Sequence, residues 1–101
     1  MRFNYRGKND ELLTSVQINP LTKKVKFKNH TDEYVKCAFG KKEKVTYDDV
    51  IDFFKRRTYQ ENRADLHDIL KAMGLEKYDP VAICKYSKGR TAEDGKWIEF
   101  L

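Results

Sequence analysis

The two histidines, His30 and His67, and the acid run Asp48, Asp49 and Asp52 are the residues whose types could support metal binding or proton transfer. Their spacing does not. A zinc site needs ligands paired a few residues apart, whereas His30 stands alone in a polar run and His67 stands beside Asp68. Sequence neighbours on a helix point about 100° apart, so His67 and Asp68 cannot orient one another for proton transfer. The three acids fall in and just after the first turn of a predicted helix, where capping and the positive end of the helix dipole account for them. Glu93 and Asp94 lie in a polar run between Gly89 and Gly95 that reads as a solvated loop. No glycine pattern of a nucleotide-binding loop occurs. The residues therefore predict no catalytic set, no metal and no cofactor, and a chain that is not an enzyme.

The chemistry that remains is positive charge. Twenty-one Lys and Arg stand against 16 Asp and Glu, a formal charge of +5, which draws a protein toward nucleic acid or an acidic protein surface. The cations cluster: Lys23, Lys24, Lys26 and Lys28; Lys41, Lys42 and Lys44; Lys55, Arg56 and Arg57; Lys85, Lys88 and Arg90. Clusters that share a face make a surface that tracks phosphates, and Tyr59 and Tyr86 could stack on bases beside them. Acids are interspersed through much of the chain, so a solvated charged exterior is the competing reading.

The elements that must carry these residues change type midway. Met1, Phe3 and Tyr5 alternate with Arg2, Asn4 and Arg6, the period of a strand with one buried face. A turn over 6–10 leads to a second strand ending at Asn19-Pro20, with Val16 and Ile18 on one side. Val25 and Phe27 between Lys24, Lys26 and Lys28 predict a third strand, and Val35, Cys37 and Phe39 a fourth. At Thr46 the period lengthens. Thr46 with Asp49 resembles a capping box, and Tyr47, Val50, Ile51 and Phe54 share a helical face. Leu66, Ile69, Leu70 and Met73 predict a second helix with Asn62 as its N-cap and Gly74 past its end, and Asp79-Pro80 opens a short third one. Residues 96–101 read as a final strand.

The fold class expected is α+β: a meander of about four N-terminal strands plus a C-terminal strand, packed with two to three helices. One domain over 1–101 is expected, strand-rich over 1–40 and helical over 46–88. The first residues hold no apolar run of signal-peptide length and nothing approaches a membrane span, so a cytoplasmic protein is expected. Cys37 and Cys84 are far apart, outside any CxxC spacing, and read as buried small hydrophobes. The second and third helices, with Lys85, Lys88 and Arg90 at the end of the pair, faintly resemble a helix-turn-helix; the joining segment is long and Asp79 occupies the end that would meet phosphate.

A more extended pattern runs through the second half: Asp52-Phe53-Phe54-Lys55-Arg56-Arg57, Asn62-Arg63, Leu70, Gly74-Leu75, Tyr78-Asp79-Pro80 with Ile83, Gly89-Arg90, Asp94, and Trp97-Ile98 with Phe100. It resembles a small module of Gram-positive phage and conjugative-element proteins, similar to a segment that accompanies HipA-like kinase proteins. The resemblance implies a mobile-element protein that regulates or inhibits host machinery by stoichiometric binding, such as an anti-CRISPR-like inhibitor of an RNA-guided nuclease. The implied partner is a host protein or ribonucleoprotein; the alternative, which rests on the basic clusters, is a nucleic-acid-binding regulator whose ligand is RNA or DNA. Arg56, Arg57, Arg63, Lys85, Lys88, Arg90 and Trp97 are the candidate binding residues, with Lys24, Lys26, Lys28, Lys41 and Lys42 as a secondary basic patch. An Arg–Asp network fixing the loop from Gly89 to Gly95 would explain the first group equally well.

Overall fold

The computed structural model describes residues 1–91 and 93–101. Alternation at the N-terminus becomes β1 (Arg2–Arg6), followed by β2 (Leu12–Ile18) and β3 (Val25–Asn29). Then come α1 (Tyr47–Arg56), α2 (Leu66–Ala72), α3 (Pro80–Ser87) and β4 (Trp97–Phe100). The four strands form one antiparallel sheet in the order β3-β2-β1-β4, so β1 is gripped between its neighbour in sequence and the far end of the chain. The class is α+β, as expected.

Register decides which side chains face the helices. Phe3 lies opposite Val16 and Phe100, Tyr5 opposite Thr14 and Ile98, and Val16 opposite Phe27, so these residues share the inward face. A bulge in β2, where the partner of Tyr5 is Thr14 and that of Arg6 is Leu12, leaves Leu13 as the extra residue. It lets Leu13 and Thr14 both be buried without reversing the alternation beyond them. Against this face pack Val50, Phe53 and Phe54 of α1 and Cys84 of α3, with Phe3 at 5.0 Å from Phe54 and Tyr5 edge-on to Phe53 at 5.0 Å. Leu66 and Leu70 of α2 form a satellite cluster on Ile83 of α3.

Local signals explain most helix ends. Thr46 Oγ1 accepts from Asp49 N and Asp49 Oδ2 accepts from Thr46 N, completing the capping box. Lys42 adds a hydrogen bond that, with the Thr46 amide, pulls the Asp49 carboxyl down to about 2. Asp79 Oδ1 accepts from Val81 N and Ala82 N at the start of α3.

Two local expectations are corrected. The predicted fourth strand is a 3-10 turn over Tyr34–Lys36 followed by three consecutively buried residues, Cys37, Ala38 and Phe39. Ala38 N donates to the buried Thr14 Oγ1 at 3.1 Å and Phe39 packs between Phe27 and Phe53, so this segment plugs the core rather than extending the sheet. The sheet thus has three N-terminal strands, not four. Asp65, not Asn62, precedes α2, and it caps nothing because its carboxylate takes the Arg63 guanidinium instead. No helix is long and apolar enough to cross a membrane among the described residues. Cys37 and Cys84 are buried free thiols, as expected.

Candidate functional site

The sheet face opposite the helices places no residue in either apolar cluster. The pairing arranges it in rows. Lys26, Gln17 and Arg2 form one; Lys28, Ser15, Asn4 and Glu99 a second; Leu12, Arg6 and Trp97 a third. Side chains of the second row are joined across three strands, β2, β1 and β4. Ser15 Oγ donates to Asn4 Oδ1 at 2.9 Å, and Asn4 Nδ2 donates to Glu99 Oε1 at 2.9 Å. His30 Nε2, just beyond β3, lies 2.9 Å from Ser15 Oγ, whose only proton is already given to Asn4, so the ring nitrogen is the donor. Arg6 pairs with Glu99 at 3.0 Å, and the bonds from Asn4 and Arg6 hold the Glu99 carboxyl below the usual carboxylate range.

A serine beside a histidine is half of a nucleophile–base pair. Here the Ser15 proton runs away from the ring, so the pair is a polar cross-strand tie. What the face offers instead is charge. Arg2, Lys26 and Lys28 are exposed and form no ion pair among the described residues. With Asn4, Ser15 and Gln17 between them they line a shallow depression of about 370 Å³. Three cations around uncharged hydrogen-bonding groups can hold several phosphates at once and still meet sugar or base edges.

The predicted cations are distributed over several surfaces. Lys26 and Lys28 lie on the open face, while Lys24 precedes β3. Lys41 stands over the Tyr34 ring and Lys42 pairs with Asp49, both past the outer edge of β3. The secondary basic patch is therefore not one surface. Lys85, Lys88 and Trp97 do come together, lining a groove of about 300 Å³ along β4. Arg90 stacks over Trp97 at 5.4 Å, and Trp97 Nε1 donates to Asp10 Oδ1. Arg56 reaches toward Ala38 O at the end of α1, and Arg63 lies over Tyr59 with its guanidinium bound to Asp65.

Arg57 is the exception among the candidates, since it is buried, at 8% exposure. Its Nη1 and Nη2 hold Asp94 bidentately at 2.8 and 3.1 Å, Nε donates to Gly89 O, and Nη2 donates also to Lys96 O. This is the loop-fixing network that competed with a binding role, and it occupies nearly all of the Arg57 donors. The hydrogen bonds from Arg57 lower the Asp94 carboxyl, and burial raises the Tyr5 phenol beside it.

Arg2, Asn4, Ser15 and Gln17 belong to no charge cluster or motif in the sequence. The signal lay in the polar positions that alternate with Phe3, Tyr5, Val16 and Ile18, visible once both faces of a strand are read. No family model, curated protein or solved structure matches this chain.

Proposed function

We propose that this chain is a non-enzymatic, stoichiometric binding protein whose ligand is the backbone of a single-stranded nucleic acid laid across the open sheet face. The observation that carries the reading is the set of Arg2, Lys26 and Lys28, without ion pairs among the described residues, around a depression bounded by Asn4, Ser15 and Gln17. The open face of the sheet presents such groups in register, and a single strand can follow them because its backbone is flexible and its bases are free to turn outward. Trp97, one strand over from Arg6 at the same level, supplies an aromatic surface at the rim. A host ribonucleoprotein that exposes single-stranded RNA, such as the guide of an RNA-guided nuclease, is a partner this chemistry would recognise.

The test is fluorescence anisotropy with short labelled single-stranded RNA and DNA over a range of salt. Three phosphate contacts predict a log–log salt slope of about −2, each contact contributing about 0.7 on a single strand. Arg2→Gln, Lys26→Gln and Lys28→Gln should each lower the slope by that amount. Absence of binding at low salt, or a slope unmoved by all three changes, would sink the proposal.

A further inference from the structure

A separate concavity of about 350 Å³ lies between the ends of two helices, lined by Arg57, Thr58 and Tyr59 after α1 and by Ser87, Arg90 and Thr91 at and after the end of α3. Among the described residues no carboxylate lines it, and Asp94 is bound by Arg57 and Thr91 at its border. The lining side chains other than Thr91, whose hydroxyl donates to Asp94 at 3.4 Å, are biased toward donation. They stand against the carbonyls and negative dipole ends that α1 and α3 bring to the hollow at their C-termini. Ser87 Oγ accepts from Gly89 N at 3.2 Å, which leaves its hydroxyl proton free. Arg90 is exposed, makes no ion pair among the described residues, and is held over the Trp97 ring. Arg57 has five N–H donors; its network uses one on Nε, two on Nη2 and one on Nη1, so one Nη1 hydrogen has no acceptor among the described residues. Thr58 carries a buried hydroxyl without a partner among the described residues, and Tyr59 completes the lining after α1.

The geometry points to a binding site for a phosphate monoester. Donors on several sides of a small hollow suit a tetrahedral dianion with multiple acceptors better than a flat carboxylate, for which Asp94 already occupies the matching fork of Arg57. The volume holds a phosphate and a group of sugar size, and a small hollow between the ends of two helices suits a terminal phosphate rather than a backbone diester running through. Arg90 supplies the free charge, preorganised by Trp97, while Arg57 is a buried wall whose position is set by Asp94, Gly89 and Lys96.

Amide chemical shifts of the full chain, titrated with inorganic phosphate, a nucleoside 5′-monophosphate and the matching nucleoside, test the site. Both phosphates should saturate and move amides of residues 57–59 and 87–91, and the nucleoside should not. Arg90→Gln, at an exposed position, should weaken binding by about tenfold, the loss of a charge-assisted hydrogen bond. The source is distinguished by comparing 5′-phosphorylated with 5′-hydroxyl oligonucleotides: tighter binding of the former assigns a strand end, and equal binding with retained phosphate affinity assigns a small metabolite. The Arg2, Lys26 and Lys28 substitutions should leave phosphate binding unchanged, which separates this site from the sheet face. No saturation by about 10 mM phosphate, or unaltered affinity in Arg90→Gln, would overturn the inference.

Discussion

Asp94 and Arg57 set the stability of the loop that joins α3 to β4. Their side chains are 35% and 9% exposed, so the pair is partly screened but its guanidinium is not. Asp94→Asn should cost about 1–2 kcal/mol in urea unfolding, whereas Arg57→Leu, which also strands Gly89 O and Lys96 O, should cost about 3 kcal/mol. The acid dependence follows from the lowered Asp94 carboxyl. A depressed carboxylate contributes stability that is complete above its unfolded pKa and is lost as pH falls through the folded one. The gap between the parent chain and Asp94→Asn should therefore be constant above about pH 5 and narrow below the ordinary carboxylate range. A gap that widens in acid would mean the loss comes from elsewhere. At the other end of the scale, burial pushes the Cys84 thiol up to about 12, and Cys84 Sγ is turned to Phe54 O. Thiol reagents at about pH 8 should leave Cys84 unmodified in native protein and label it on unfolding, as read by mass spectrometry. The residue pattern from Arg57 to Trp97 leaves Arg57 two candidate roles, and choosing between them requires Asp94, which arrives from 37 residues away.

At the level of elements, legibility tracked how local the cause was. The capping box at Thr46 and Asp49 is a contact three residues long, and Asp79-Pro80 is a start signal within one turn, so both could be read directly. The predicted strand over 35–39 failed for the opposite reason. Its alternation is real, but Thr14 Oγ1 takes the Ala38 amide and Phe39 enters the aromatic core, which overrides local propensity. The capping box predicts that Thr46→Ala loses about 1 kcal/mol, by urea denaturation. Gly89 predicts more. It holds φ at +63°, and a Cβ there would stand 2.5 Å from Cδ1 of the fully buried Ile98. Gly89→Ala should therefore destabilise by about 2–4 kcal/mol, combining a left-handed backbone with overpacking against β4. A loss no larger than that of a surface alanine would show that α3 and β4 can separate without harm.

Over the whole molecule, the sheet order decides where charge can act. Because β4 pairs with β1, residues 95 apart share the open face, as Asn4 and Glu99 do, and nothing local in the sequence places them together. The total of +5 was readable from composition, but its division between a helix-covered and an open side was not. That division separates two explanations of nucleic-acid binding. If net charge alone attracts phosphate, any three cations matter equally; if the face does, only those in register on it matter. Replacing Arg2, Lys26 and Lys28 with Gln removes three positive charges, and so does replacing Lys55, Lys71 and Lys77, which are exposed, unpaired among the described residues, and borne on or beside the helices. The two triple variants have the same net charge. The first should lose nearly all of the salt slope of about −2 and most of the affinity, and the second should keep the slope and lose only a small, long-range share that vanishes above about 0.15 M salt. Equal losses in both would assign the binding to net charge and leave the sheet face without a special role.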